Sequence, residues 1–165
     1  IFYANSVYLD FRKAFDTVSH ERLLVKLEAY GIVGNVSTWV RNFLSGRSQR
    51  VRINDSFSGK ADVKSGIPQG SILGPVLFTI FINDLPDLVE CSLKIFADDT
   101  KVYAGADKNI QMQRDLDNLQ EWSNCWQLHF NVEKCHVLHI GKLNPCYGYT
   151  MNVNGVNQEI KTCTI

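Results

Sequence analysis

Phe96-Ala97-Asp98-Asp99-Thr100-Lys101-Val102-Tyr103 sets two adjacent carboxylates inside an otherwise apolar, strand-forming run. Leu93-Lys94-Ile95-Phe96 alternates apolar and polar residues before the pair, and Lys101-Val102-Tyr103-Ala104 resumes that period after it. Alternation on both sides of a polar break predicts a β-hairpin with the two acids at its bend. Carboxylates crowded in a half-buried bend either raise one another's pKa or hold a hard cation such as Mg²⁺ or Mn²⁺. A solvated Asp-Asp turn is the other reading, because Asp is a common turn residue.

Upstream of this hairpin, Ser6-Val7-Tyr8-Leu9 is β-prone and runs directly into Asp10, which places a third acid at a strand end. Ser19 is positioned to cap a helix whose apolar residues Leu23, Leu24, Leu27 and Tyr30 recur at helical spacing until Gly31. A second helix is expected from about Asn35 to Leu44. Arg50-Val51-Arg52-Ile53 alternates strictly, and Asn54-Asp55 turns it back into residues 57 to 63 as a basic hairpin. Ser65-Gly66-Ile67-Pro68-Gln69-Gly70-Ser71 is dense in turn formers. Leu73 to Leu85 follows as a nearly all-apolar helix, which predicts burial on every side.

Downstream, Asp107 is expected to cap a long helix striped by Leu116, Leu119, Trp122 and Trp126, residues that fit a core better than a base-stacking platform. Asn131 to Ile140 reads as a strand, and Tyr149 to Val153 with Asn154-Gly155 as a further hairpin. Strand, two helices, hairpin, helix, hairpin, helix, strand and hairpin define an α+β domain with a largely antiparallel sheet backed by helices.

With 165 residues and 45% hydrophobic content, the chain can bury one sizeable core, and a single compact domain is expected over 1–165. It opens at Ile1 and closes at Ile165 within strand-like segments, as expected for a piece of a longer polypeptide. Five cysteines without a C-x-x-C pair argue against a disulfide framework and for a reducing, intracellular setting. The longest apolar run, Ile72 to Ile82, spans 11 residues and contains Gly74 and Pro75. It is too short to cross a membrane, so no membrane partner is expected, and no basic leader with a cleavage site is visible. Cys135, His136 and His139 lack a fourth zinc ligand at suitable spacing, and a strand sends 135 and 136 to opposite faces.

Formal net charge is zero but unevenly spread. Residues 41–64 hold six bases against two acids, whereas residues 84–121 hold four bases against nine acids. A basic lobe beside an acidic centre suits phosphate handling around bound metal, and two solvated faces of opposite sign give the same pattern. One carboxylate about ninety residues before a paired carboxylate is also the layout that two-metal phosphoryl or nucleotidyl transfer requires.

Three segments carry a resemblance. Leu9-Asp10-Phe11-Arg12-Lys13-Ala14-Phe15-Asp16, Ser65-Gly66-Ile67-Pro68-Gln69-Gly70-Ser71-Ile72-Leu73-Gly74-Pro75 and Phe96-Ala97-Asp98-Asp99 resemble the first three palm motifs of reverse transcriptases of non-LTR (LINE-type, jockey-like) retrotransposons. Tyr30-Gly31-Ile32, Trp39-Val40, Ile82-Asn83-Asp84-Leu85-Pro86 and Asn131-Val132-Glu133-Lys134-Cys135 extend it over about residues 5 to 142. The resemblance implies a palm with a ferredoxin-like core, flanked in the whole enzyme by fingers and thumb segments that the chain lacks. It implies an RNA-directed DNA polymerase using an RNA template, a DNA primer or target, deoxynucleoside triphosphates and Mg²⁺ or Mn²⁺.

By the same resemblance, Asp10, Asp98 and Asp99 are catalytic metal ligands. Phe11, Phe15, Gln69, Gly70 and Lys134 lie about the nucleotide, with Phe15 excluding a ribose 2′-hydroxyl. Arg47, Arg50 and Arg52 are candidates for the nucleic-acid backbone, although charged edges also merely block sheet aggregation. Asp16 is expected to make a local cap or salt bridge. Glu159 to Ile165 departs from the Leu-Gly turn usual at this point of the family. A catalytically silent nucleic-acid-binding or structural remnant, and an intron maturase palm, are the alternative readings.

Overall fold

The computed structural model describes residues 3–153 and 155–163. Along the chain it forms β1 (Ala4–Leu9), α1 (Ala14–Thr17), α2 (His20–Ala29), α3 (Gly34–Leu44), β2 (Ser48–Gln49), β3 (Arg52–Ile53), β4 (Ser56–Phe57), β5 (Ala61–Asp62) and α4 (Leu73–Ile82). β6 (Ser92–Phe96), β7 (Asp99–Gly105), α5 (Asn109–Trp126), β8 (His136–Ile140), β9 (Thr150–Val153), β10 (Val156–Glu159) and β11 (Lys161–Cys163) follow. Helices and a mainly antiparallel sheet confirm the expected α+β class. The chain divides into two compact units, Lys13–Phe81 and the residues on either side of it.

The outer unit is built on a five-stranded sheet in the order β11-β8-β1-β7-β6. β1 is central and antiparallel to both neighbours, pairing Leu9 with Thr100 on one side and Tyr8 with His136 on the other. Setting β11 aside, β1, β6, β7 and β8 stand in the spatial order fourth, first, third, second, with α5 between β7 and β8. That is the ferredoxin-like arrangement. Pleat parity sends Val7, Leu9 and Val102 inward, where they are buried, and leaves Tyr8 and Lys101 on the other face.

α5 presents Met112, Leu116, Leu119 and Trp122 as its buried stripe. Asp107 does not cap it: Asp107 sits in a preceding 3₁₀ turn, and the N-cap is Lys108 without a side-chain bond. Asp115, buried in the same helix, accepts from the Glu90 and Cys91 amides at 3.1 and 2.8 Å and from Gln111 Nε2 at 3.0 Å, tying down the entry to β6. Asn131 to Ile140 is not one strand. Asn131 O accepts from the Lys134 and Cys135 amides, closing a turn before β8 begins. β9 and β10 form the expected hairpin, with Asn154 outside the described residues, as are Ile1 and Ile165. β11 adds a parallel edge that its polar sequence did not announce.

In the inner unit, Ser19 caps α2 as expected, accepting from the Arg22 amide, and Gly31 at φ +79° lies just past the helix end. Tyr30 is 47% exposed and lies outside the buried Leu23, Leu24 and Leu27 stripe. α4 ends at Ile82, three residues short of the expected Leu85, and is not buried all round, since Val76 is 52% exposed. Buried Lys26 donates to Phe81 O at 2.5 Å, putting a cation on the carbonyl end of α4. The basic hairpin forms only two short ladders, β3 with β4 and β2 with β5, exposed throughout.

Candidate active site

β6 and β7 meet in a two-residue turn, Ala97-Asp98, so the bend holds only one of the two acids and Asp99 is the first residue of β7. Ala97 takes φ +54°, a left-handed conformation that costs a non-glycine residue about 1–2 kcal/mol. Backbone strain of this kind concentrates at functional sites. Leu9 faces Thr100, so Asp10 leaves β1 at the end where β7 begins with Asp99, and both acids line one cavity. All three acids therefore come to one end of the sheet.

Asp10 is held by its main chain. Its carbonyl accepts from the Asn131 amide at 2.7 Å, and the Arg12 amide donates to His129 O at 2.8 Å. The turn that interrupts the expected strand swings Lys134 toward Asp10, with Nζ 3.9 Å from Oδ1. That same Oδ1 is buried without a hydrogen-bond partner. A buried carboxylate oxygen without a hydrogen bond is costly, and a largely exposed lysine 3.9 Å away offsets little of that cost, so the hard oxygen donors here fit a divalent ion. The three acids are brought to one edge without forming a closed cage: among the described residues, no three His, Cys, Asp or Glu side chains are grouped as a metal set.

A cavity of about 350 Å³ opens beside these acids, lined by Asp10, Asp99, Tyr8, Phe96, Lys101 and Lys134 among others. Phe11, one position past Asp10, points the other way. Its ring is buried and stacks on Phe130 with centroids 4.5 Å apart, so the side chain expected at the nucleotide is spent on the core. Cys135, behind Asp10, is buried, and that burial pushes its thiol up to about 11.

The inner unit holds the remaining expected site residues. Phe15 is half-buried and stacks on Phe78 at 4.5 Å. The turn-rich loop is fastened to the segment after Phe15: Ile67 N donates to Phe15 O at 2.7 Å, Gly66 N to Val18 O at 2.8 Å, and Ser65 Oγ to Asp16 O at 2.9 Å. Exposed Gln69 donates from Nε2 to Asp16 Oδ1 at 2.9 Å, so Asp16 makes a tie 53 residues long rather than a local cap. Gly70, exposed at φ +80°, uses a conformation that glycine adopts without penalty.

Arg47 is not a free backbone-binding arm. It is half-buried and donates to Leu44 O at 2.9 Å and Gly66 O at 2.6 Å, next to His20 Nε2, which lies 2.8 Å from the same Gly66 oxygen. Arg50 and Arg52 are exposed and lie 4.0 and 5.5 Å from the Phe57 ring centroid. The roles of Asp16, His20 and Arg47 in fixing this loop were invisible in the sequence, because no local pattern marks a bond to a distant main-chain carbonyl.

Residues 4–162 match the family described as reverse transcriptase (RNA-dependent DNA polymerase). The chain is 31% identical over 163 residues to the "RNA-directed DNA polymerase from mobile element jockey" of Drosophila melanogaster and 33% identical to its counterpart in Drosophila funebris. Each match covers 91% of this chain and 18% of the relative. A third, the "Probable RNA-directed DNA polymerase from transposon BS" of Drosophila melanogaster, is 29% identical over 88% of this chain and 16% of its own length. The chain thus spans less than a fifth of these relatives. A strained hairpin carrying paired aspartates beside the end of β1, on a ferredoxin-like sheet within the residues this family matches, leads to one assignment: the chain belongs to the reverse transcriptases, in their non-LTR retrotransposon branch.

Proposed function

We propose that the chain is the palm of an RNA-directed DNA polymerase that adds deoxynucleotides to a primer 3′ end. The observation that carries this reading is that Asp10 and Asp99 line one cavity at the end of β1, with one Asp10 oxygen buried without a hydrogen bond. Asp10, Asp98 and Asp99 would hold divalent cations, Mg²⁺ or Mn²⁺, which when bound favour the deprotonated 3′-hydroxyl and offset charge on the leaving pyrophosphate. The primer 3′-oxygen bonds to the α-phosphorus as the α-phosphorus bond to the bridging oxygen breaks. The 3′-hydroxyl proton is lost and pyrophosphate leaves.

The remaining residues position substrates. Gln69, oriented by Asp16, and Gly70, whose open backbone admits close approach, lie against nucleotide and template in this reading. Phe15, braced by Phe78, limits the sugar to 2′-deoxyribose. Lys134 adds a positive charge beside Asp10 for the triphosphate. Arg50 and Arg52 offer an exposed contact for the nucleic-acid backbone. An intracellular, reducing setting fits the free thiols.

Positioning of two substrates supplies roughly 7–11 kcal/mol of such barriers, so the chain by itself is expected to bind metal and extend primers poorly. The test has two arms. Metal titration compares the chain with Asp98→Asn, and unchanged affinity would overturn the metal role. Primer extension on an RNA template compares the chain with a longer polypeptide restoring the flanking reading frame; extension by the longer protein supports the reading, and silence from both favours an inactive copy.

A further inference from the structure

Ile82-Asn83-Asp84-Leu85-Pro86 is a stretch to which the proposed reaction gives no task. Pro86 lies at the start of the 3₁₀ turn Leu85–Leu88, where a fixed φ and a missing amide are tolerated, and Leu85 is fully buried. Asp84 stands at the N-cap of that turn, yet its side chain makes no capping bond. Instead its Oδ2 accepts from the indole Nε1–H of Trp122 at 3.0 Å, 38 residues on. Asn118, one helical turn before Trp122 on α5, donates to Leu88 O at 3.0 Å, so the two ends of the 3₁₀ turn grip one face of the helix.

Trp122 leads back to Asp10. Its buried ring lies 6.3 Å from that of Phe11 at 52°, and Phe11 stacks on Phe130 at 4.5 Å. Phe11 directly follows Asp10, and the main chain there is bridged to the Phe130 segment. Phe11 pairs with Phe130, the Arg12 amide donates to His129 O, and Asp10 O accepts from the Asn131 amide. Asp10 Oδ1 has no hydrogen bond, and the nearest cation is a largely exposed lysine at 3.9 Å, so the aim of that oxygen follows the main chain. The main chain in turn follows the three rings. Apolar contact is non-directional, so rings alone can slide over one another. A hydrogen bond to the indole N–H fixes the plane of one ring, and a carboxylate makes that bond stronger than a neutral acceptor does.

We infer that Asp84 is a positioning residue for Asp10, acting through Trp122 and Phe11. Asp84 is not among the residues that line the cavity of the candidate site. Its part is to set where Asp10 leaves β1, and hence where the Asp10 carboxylate points. Removing the Asp84 acceptor frees the indole to turn, loosens the seat of Phe11 against Phe130, and lets the Asp10 main chain shift with its neighbour. Asp115 gives the contrast: it anchors the same helix through the Glu90 and Cys91 amides but makes no bond to any of the three rings. The consequence for metal binding rests on the polymerase reading above, whereas the link from Asp84 to Asp10 does not.

The test follows two quantities: amide hydrogen exchange at Arg12 and Asn131, whose bonds hold the chain about Asp10, and Mn²⁺ affinity by water-proton relaxation. Asp84→Ala, Asp84→Asn, Trp122→Phe and the double variant Asp84→Ala/Trp122→Phe are compared with the unaltered chain, with Asp115→Asn and with Asp10→Asn. Thermal denaturation confirms that each is folded; should Asp84→Ala not fold, Trp122→Phe carries the same comparison. Asp84→Ala is expected to speed exchange at both amides roughly tenfold relative to the other β1 amides. It is also expected to weaken Mn²⁺ binding about tenfold, the low end for residues that support a metal ligand. Asp84→Asn keeps an acceptor for the indole and should stay within about twofold of the unaltered chain. Trp122→Phe should reproduce the alanine effect, and the double variant should add nothing to it. Asp115→Asn should lose stability and leave both readouts in place. Unchanged exchange in Asp84→Ala, or an equal effect in Asp115→Asn, would overturn the inference. So would faster exchange with Mn²⁺ affinity intact while Asp10→Asn weakens it. Mn²⁺ affinity unaltered by Asp10→Asn would instead count against the metal reading, and exchange alone then decides the link from Asp84.

Discussion

Lys134 Nζ stands 3.9 Å from Asp10 Oδ1, the one oxygen of the candidate metal-binding acids that is buried without a hydrogen bond. The separation is too long for a hydrogen bond, and the lysine side chain is 67% exposed, so the pair contributes below about 1 kcal/mol to stability. Its effect is on whatever cation Asp10 receives, because an ammonium so near competes with a divalent ion. Lys134→Gln is expected to leave thermal stability within about 0.5 kcal/mol and to tighten Mg²⁺ binding by roughly two- to fivefold. Calorimetric titration measures this; weaker or unchanged Mg²⁺ binding would show that the lysine charge is not felt at the site.

The bond from Gln69 to Asp16 joins two exposed side chains, so its loss costs little stability, roughly 1 kcal/mol or less. What it fixes is direction. Asp16→Ala should release the Gln69 carboxamide, seen as motional narrowing of its side-chain amide resonances, while Asp16→Asn keeps an acceptor and restores the ordered signal. In a longer active enzyme the alanine variant is expected to raise KM for deoxynucleotides more than it lowers kcat. Identical Gln69 amide dynamics in all three proteins would remove Asp16 from the positioning role.

Much of this architecture was legible in the sequence because it rests on local periodicity. The 93–104 alternation, the β-prone run into Asp10 and the Ser19 cap each follow from residue order over a few positions. What escaped depends on distance. Arg47 read as a surface base, yet its guanidinium is drawn to the Gly66 carbonyl 19 residues away. Residues 131–140 read as one strand, and only the two amides converging on Asn131 O reveal the turn that carries Lys134 to Asp10. Phe11 followed the family motif into the nucleotide site, but pleat parity sends it opposite to Asp10.

Asp115 should make the fold acid-sensitive in a defined window. Burial pushes its carboxyl up, but the bonds from the Cys91 thiol and amide, Gln111 and the Glu90 amide outweigh that and hold its pKa below the ordinary aspartate value. A depressed folded pKa adds stability that is fully present above the unfolded value and is lost as pH falls through the folded one. Asp115→Asn is expected to cost about 1–3 kcal/mol near neutrality, since one of the two amides loses its acceptor. The gap between wild type and variant, followed by urea denaturation, should hold from pH 8 to about 5 and shrink below the ordinary carboxylate range of about 4. A gap that widened on acidification would contradict the assignment.

Phe15 stacks on Phe78, and Phe15→Val should cost roughly 1–2 kcal/mol for the lost ring contact. In a longer active enzyme the same change should raise ribonucleotide incorporation relative to deoxyribonucleotide incorporation while leaving Mg²⁺ affinity intact. Unaltered sugar discrimination in competitive incorporation would reduce Phe15 to a packing residue.

Gly66→Ala offers the sharpest separation between fold and loop, because two constraints meet at that residue. Its φ of +84° is a conformation costing a residue with a Cβ about 1–2 kcal/mol. An added Cβ would also fall 2.6 Å from Asp16 O and 2.7 Å from Asp16 Cα, main-chain atoms that cannot rotate away. Relief requires the loop to lift from residues 15–18, breaking the bonds of Gly66 N to Val18 O and Ile67 N to Phe15 O and withdrawing the Gly66 carbonyl from Arg47 and His20. The expected cost is roughly 2–4 kcal/mol. Gly70→Ala is the matched control: its φ of +80° carries the same backbone strain, but an added Cβ meets nothing within 4 Å. Denaturant titration should therefore rank Gly66→Ala well below Gly70→Ala, and hydrogen exchange at the Gly66 and Ile67 amides should accelerate only in the former. Equal destabilisation of the two would mean that strain alone, and not the close approach to Asp16, holds this loop in place.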